Sequence, residues 1–183
     1  LSEVIDPKIL FKDYVYSSST GKSFREHFSK MANEIKNNFN LTNESLVVDI
    51  GSNDGILLKP FNDLGLKTIG VEPATNIAKI AESNGVDTIN DFFNVSSVNT
   101  IIQNKGKADV VTANNVFAHI DNIKEVITNV KLLLKENGIF IIEFQYFVDT
   151  IQKMTFDNIY HEHVSYYTLT ALNYFFNKND LEV

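Results

Sequence analysis

The sequence predicts an α/β fold: one parallel sheet with helices on both of its faces. Three observations carry that expectation. Short apolar runs alternate with amphipathic stretches along the chain, the pattern of repeated strand-helix units whose parallel strands are buried on both sides. The run Leu46-Val47-Val48-Asp49-Ile50 leads straight into the glycine turn Gly51-Ser52-Asn53-Asp54-Gly55. A second apolar run then ends on a carboxylate, Glu72.

Ahead of the sheet, residues 22–39 carry Phe24, Phe28, Met31, Ile35 and Phe39 at spacings of three and four, which predicts a helix. The preceding Ser17-Ser18-Ser19-Thr20-Gly21 reads as a loop. Strands are expected at 46–50, 67–72, 86–89, 108–113 and 138–144, with helices between them at 56–64, 75–84, 94–104 and 122–135. Glu136-Asn137-Gly138 reads as a helix stop and a turn, because glycine accepts the left-handed conformation at a helix end. Residues 168–177 predict a further helix, and Leu181-Glu182-Val183 the start of another strand, so the chain is expected to be truncated inside its fold with a sheet edge left bare. The organisation expected is a helical lead-in over 1–40 and a single-core ligand-binding domain over 41–183.

With 183 residues, 44% of them hydrophobic, the chain can bury one core. A formal charge of −7 and a single arginine, Arg25, argue against binding a nucleic-acid backbone. The absence of cysteine removes disulfides and thiolate zinc sites and is compatible with a reducing compartment, so the cytoplasm is the expected location. Neither a run of 18 apolar residues nor a charged-then-apolar leader occurs, so no membrane association is expected.

Glycine at the carboxyl end of a parallel strand lets the backbone approach a ligand, and a carboxylate ending the next strand can accept both hydroxyls of a ribose. In a dinucleotide fold the loop would read G-x-G-x-x-G and its helix would hold a pyrophosphate. Here Gly51 and Gly55 stand four apart with Asp54 between them, a carboxylate that would repel pyrophosphate and suit a cation. That sign favours the sulfonium and ammonium of S-adenosyl-L-methionine over NAD. After the third strand, Asp91 can accept an adenine amino group and Phe92 can stack on the base, although a helix cap and a core ring are equally consistent with the residues. Asn114 and Asn115 close the fourth strand, where they can face the methionine end or simply favour a turn. Glu143, at the end of the fifth, stays unassigned.

Four segments resemble a known family: Asp13-Tyr14-Val15-Tyr16-Ser17-Ser18; Asp49 to Gly55 with Gly70-Val71-Glu72-Pro73; Asn114-Asn115-Val116-Phe117-Ala118-His119; and Ile159-Tyr160-His161-Glu162-His163-Val164-Ser165-Tyr166. Together they are similar to the S-adenosylmethionine-dependent sugar C-methyltransferases, which methylate C3 of nucleotide-linked 4-keto-deoxysugars. The resemblance implies a class I, Rossmann-like methyltransferase fold and a nucleotide-sugar substrate. It implies cofactor binding by Gly51, Asn53, Asp54, Gly55, Glu72, Pro73, Asp91, Phe92, Asn114 and Asn115. It makes His163 the base that removes a proton beside the ketone, and places Glu162, Tyr160, His119 and Tyr14 around the sugar. The family also carries an N-terminal cysteine-rich zinc module and a further C-terminal domain, neither of which is in this sequence.

The residues alone leave other readings open. His161, Glu162 and His163 contain the H-x-H spacing of some zinc sites, but a third ligand at fixed spacing is not apparent and no metal is expected. His119 can cap the helix after it, Tyr14 can be a packing ring, and Tyr166 and Tyr167 read as core aromatics. Lys22 and Arg25 suit either a substrate diphosphate or a solvated helix face. The rival functions are an O- or N-methyltransferase of a small metabolite and a cofactor-binding fragment without activity. If Glu162 and His163 are to converge, their segment must be a turn, since neighbours in an extended strand point apart.

Overall fold

Alternate residues of β1 (Leu46–Ile50) enter different cores. Leu46, Val48 and Ile50 join one apolar cluster and Val47 the other, as the two-residue period of a strand buried on both faces requires. The computed structural model describes residues 6–11, 14 and 17–183, with Lys8 described by its backbone alone. Asp13, Val15 and Tyr16 of the first family-like segment lie outside the described residues.

The chain opens with α1 (Pro7–Leu10), a 3₁₀ turn at Ser18–Thr20 and α2 (Lys22–Asn38). Beyond β1 come α3 (Leu58–Asp63), β2 (Lys67–Val71), α4 (Thr75–Ser83), β3 (Thr88–Ile89), α5 (Val95–Lys105) and β4 (Ala108–Asn114). A 3₁₀ turn at Phe117–His119 leads to α6 (Ile123–Leu133), β5 (Leu134–Glu143), α7 (Phe147–Gln152), another 3₁₀ turn at Phe156–Asn158, and α8 (Leu169–Asn177). The five strands pair in parallel in the order β3-β2-β1-β4-β5, with Val48 opposite Ile69 on one side and Val111 on the other. The order reverses between β1 and β4, and the cleft at that switch point is where open α/β sheets hold their ligands.

The predicted stripe of α2 is buried through Phe28, Ala32 and Ile35, which pack with Phe61 of α3 and with Val47 and Val110. On the opposite face α5, α6 and α8 cover Leu46, Val48, Val111 and Ala113, and Phe117 packs its ring against Phe140, Tyr167 and Phe176. Helix starts are capped locally: Asn94 and Ser97 form a reciprocal box on α5, and Asn122 and Thr168 accept amides of α6 and α8.

Two expectations are corrected. Leu134 to Gly138 is not a helix end and turn; these residues already belong to β5, whose register slips so that Leu134 pairs with Ala108 but Ile139 with Val110. Lys135 ties this bulge to Asp109 at 2.8 Å, and glycine is needed at 138 because of crowding, since a Cβ there would meet the Ala108 carbonyl at 3.1 Å. The second correction is at Leu181-Glu182-Val183, which form no strand: Leu181 donates its amide to the Phe176 carbonyl and packs on the core. The short α7 was not expected; its single turn is fixed by tertiary packing of buried Thr150 and not by a periodic stripe. No helix among the described residues is long and apolar enough to cross a membrane.

Buried and exposed positions make unequal demands on their residues. Replacing Phe61, fully buried, with alanine should lower the free energy of unfolding by about 3–5 kcal/mol. Leu132→Ala on the exposed side of α6 should change it by less than about 1 kcal/mol, both read from urea denaturation.

Candidate active site

A cavity of about 740 Å³ opens above the carboxyl ends of β1, β2, β4 and β5, and both the loop after β1 and the Tyr160–His163 segment line it. That volume suits a small molecule of cofactor size with room beside it.

On the side expected to hold a cofactor the geometry begins with the turn after β1. Gly51 adopts φ +64°, and the amides of Gly51 and Ser52 both donate to the Val71 carbonyl, at 2.9 and 3.2 Å. A side chain at 51 would collide with Val116, whose Cγ2 would lie 2.7 Å from it; the glycine is therefore needed twice, for conformation and for close approach. Glu72 then clamps both loops. Its two carboxylate oxygens accept the Asn53 amide at 3.0 Å and the Ala74 amide at 2.8 Å. Burial raises the Glu72 pKa, and these two backbone hydrogen bonds oppose the rise.

Gly51, Asn53, Glu72, Pro73, Phe92, Asn114 and Asn115 all line the cavity. Asp54, Gly55 and Asp91 do not. Asp54, expected to face a cation, is turned to the N-terminal segment, where it accepts the Ser17 hydroxyl and, at 2.9 Å, the Ser19 amide. Asn53 works with it by accepting the Ser18 amide at 2.9 Å, so this loop fastens residues 17–19 beside the site. Gly55, at φ +82°, makes room for Val86. Asp91 accepts from the Phe92 amide and the Asn94 side chain, at 2.7 and 3.1 Å, and so positions neighbours that do line the cavity.

Asp49 was quoted in the sequence motif yet given no role, and it belongs to the site. It lines the cavity, is 4% exposed, and accepts the Thr112 hydroxyl at 2.6 Å. Burial pushes its pKa up to about 7, against the pull of the Thr112 and Asn114 hydrogen bonds, with Glu72 adding to the rise. The signal for it was a carboxylate inside an otherwise apolar strand. Gln145 and Phe11 also line the cavity and carried no sequence signal of their own, and Phe28, read only as part of a helical stripe, lines it too.

Across the cavity, the Tyr160–His163 segment is the turn that convergence required: the His163 amide donates to the Tyr160 carbonyl at 3.0 Å. The next two amides, Val164 and Ser165, both donate to the Ala118 carbonyl, at 2.9 and 3.2 Å, and this seats the turn against Phe117–His119. The His119 and His163 rings consequently meet edge to face with centroids 4.9 Å apart. His119 does not cap α6, a place taken by Asn122.

His163 is 3% exposed and held at both nitrogens. Nδ1 is 2.7 Å from the Asn158 carbonyl oxygen, which can only accept, so Nδ1 carries the hydrogen. In the neutral ring Nε2 then has the lone pair, and the Tyr160 hydroxyl, 3.0 Å away, is its donor. Burial raises the Tyr160 pKa, with Glu162 and Tyr166 adding to it, so the phenol stays protonated at neutral pH. Burial and the neighbouring His163 lower the His119 pKa to about 4. Tyr14 packs edge-on to Phe11, and Phe11 to His119, which brings the N-terminal segment into the same wall. Glu162 lines the cavity, whereas His161 is exposed. Among the described residues no three His, Asp or Glu side chains gather as metal ligands. Lys22 and Arg25 lie on the outer face of α2, the first near Glu26 and the second donating to the Ser19 carbonyl, away from the cavity.

A family model described as a methyltransferase domain matches residues 24–183. The chain is similar to the C-methyltransferase NovU of Streptomyces niveus, 37% identical over 183 residues, which is all of this chain and 44% of that protein. It is also similar to a ubiquinone biosynthesis O-methyltransferase of Rhodopseudomonas palustris (strain HaA2), 30% identical over 97 residues, or 52% of this chain and 38% of that one. The chain thus spans less than half the length of these relatives. Among solved structures, a SAM dependent methyltransferase from Archaeoglobus fulgidus aligns with a TM-score of 0.70 at 16% identity, over 85% of this chain and 68% of that one. The plantazolicin methyltransferase BpumL, solved with a desmethylPZN analog and SAH, aligns with a TM-score of 0.66 at 15% identity, over 88% and 65%. The fold is that of the class I SAM-dependent methyltransferases.

The two shifted groups oppose one another in pH. Between about pH 4 and 7 folded Asp49 keeps a proton that the unfolded chain has lost, so its contribution to stability falls as pH rises, by on the order of 4 kcal/mol. Between about pH 4 and 6.5 His119 is neutral when folded and protonated when unfolded, so its contribution rises with pH. Asp49→Asn removes only the first. The variant should gain stability relative to the parent by a few kcal/mol between about pH 4.5 and 7 in urea unfolding, and a pH-independent difference would refute the raised ionisation.

Proposed function

The chain belongs to the methyltransferase domain family, and from that membership we propose that it binds S-adenosylmethionine and methylates carbon next to the ketone of a nucleotide-linked 4-keto-deoxysugar, at C3. The observation that carries this reading is the file Tyr160–His163–Asn158, an imidazole hydrogen-bonded at both nitrogens on a residue that lines the same cavity as the glycine loop. The similarity to a C-methyltransferase along the whole chain supports it.

The residues fit the cofactor by their chemistry. Glu72 retains lone pairs for ribose hydroxyls, Phe92 offers a ring to a base, and Gly51, Asn53, Pro73, Asn114 and Asn115 complete the wall. Asn114 Oδ1 and Gln145 Oε1 are buried acceptors with no partner among the described residues, and together with Asp49 they favour a ligand that is cationic and rich in donors. When bound, the cofactor supplies a methyl group activated by a sulfonium.

The protein's part is proton handling and orientation. His163 Nε2 takes the proton from the carbon beside the ketone, and the electron pair moves onto the ketone oxygen. The Asn158 carbonyl, already accepting from Nδ1, steadies the imidazolium that results. Giving up its bond to Nε2 leaves the Tyr160 hydroxyl free to donate to the enolate oxygen, a contribution commonly worth about 3–4 kcal/mol. His119 stays neutral, so it adds no second positive charge beside His163. Tyr14, Phe11 and Glu162 shape the sugar pocket, with the described residues of 1–40 forming its N-terminal wall and 41–183 as the cofactor-binding unit.

His163→Ala should abolish exchange of the C3 hydrogen of a nucleotide 4-keto-deoxysugar with deuterated water, followed by mass spectrometry, while leaving the thermal shift caused by S-adenosylmethionine intact. Tyr160→Phe should slow exchange roughly 10²-fold or more. Equal exchange in parent and His163→Ala would remove the histidine from the chemistry and favour an O- or N-methyl acceptor; NAD should give no thermal shift.

A further inference from the structure

Beside the proposed catalytic residues, four polar side chains stand in single file where β4 and β5 end. His27 Nε2 of α2 lies 2.6 Å from Glu143 Oε2. Glu143 Oε1 accepts from Asn115 Nδ2 at 3.1 Å, and Asn115 Oδ1 accepts from Gln145 Nε2 at 3.0 Å. The file ends at Gln145 Oε1, a buried oxygen with no partner among the described residues, on a residue that lines the cavity.

The sense of this file is not arbitrary. A carboxylate can only accept, so Asn115 must turn its amide nitrogen to Glu143, which aims its oxygen at Gln145. Gln145 must then give its nitrogen to Asn115 and keep its oxygen for the cavity. The backbone holds the first link rigid: Asn115 sits at φ +55°, a conformation asparagine tolerates better than most residues, and its amide donates to the Glu143 carbonyl at 2.7 Å. A buried carbonyl oxygen without a donor is unfavourable, so a ligand that supplies one gains affinity there.

We propose that Glu143 is a positioning residue that acts through Asn115 to commit Gln145 to an acceptor role toward a hydrogen-bond donor on the bound ligand. The inference rests on the cofactor and substrate reading above. Two donors have the right chemistry: the ammonium of the cofactor's amino-acid end, and a hydroxyl of the methyl acceptor.

Calorimetric titration of the whole chain separates them. S-adenosylhomocysteine carries the ammonium and 5′-methylthioadenosine lacks it. Gln145→Met deletes the acceptor; Glu143→Gln keeps the shape but lets both amides reverse. Loss of about tenfold in affinity for S-adenosylhomocysteine in both variants, with 5′-methylthioadenosine unaffected and melting temperatures near the parent's, supports the proposal with the ammonium as donor. The same loss seen only in titrating a nucleotide 4-keto-deoxysugar into the protein saturated with S-adenosylhomocysteine supports it with the hydroxyl. A general loosening would weaken both adenosine compounds alike, and that result overturns the positioning role, as does an absence of any difference between parent and variants. A parent that binds neither adenosine compound instead overturns the cofactor reading itself.

Discussion

The shape of the candidate site depends on how the ends of β1 and β2 are tied together. Two consecutive amides after β1 converge on one carbonyl of β2, and the carboxylate one residue further takes an amide from each loop. A charged acceptor is suited to this because hydrogen bonds to a carboxylate are stronger than those to a neutral oxygen. The clamp forces the left-handed turn at Gly51, and the turn in turn lets Val116 approach. The segment that carries His119 follows directly, so the wall proposed to be catalytic inherits its position from the one proposed to hold the cofactor.

The two walls differ in kind. Carboxylates and amides of the strand ends surround one half of the cavity, and rings with neutral polar tips surround the other. The buried acidic pair Asp49 and Glu72 raises the energy of its own ionised forms, which a cation would relieve. The His119–His163 pair has the reverse problem, since a charge on either opposes a charge on the other. One cavity therefore offers a region receptive to positive charge beside a region that disfavours a charge on His119.

The strands and helices were legible in the sequence where a period and a boundary residue agreed. Leu46 to Ile50 followed by Gly51, and the α2 stripe from Phe28 to Ile35, are examples. The bulge in β5 was not, because Gly138 after a helix carries the usual mark of a cap, and only the crowding against Ala108 reveals its different purpose. In the site, side-chain direction was the hidden variable. Asp54 has the charge for a cation, but the amide of Ser19, far away in sequence, offered it a partner first. Asp91 was claimed in the same way by its neighbours. The Tyr160–His163 turn was legible as a cluster of chemistry, while the carbonyl of Asn158 that fixes the imidazole tautomer leaves no mark in the residue type.

The cavity is lined both by the N-terminal segment, through Tyr14 and Phe28 of α2, and by Tyr160 and His163, and the pair His27–Glu143, 116 residues apart, ties α2 to the end of β5 beside it. A molecule held there would touch both flanks of the chain at once and so act as a reversible cross-link closing a long loop. The entropy of such a closure grows only slowly with loop length, so most of the restraint is available to even a modest ligand. Its occupancy would be felt as slower opening of both ends of the fold together, well beyond the residues in contact, and the two flanks would exchange their amide hydrogens as one cooperative unit.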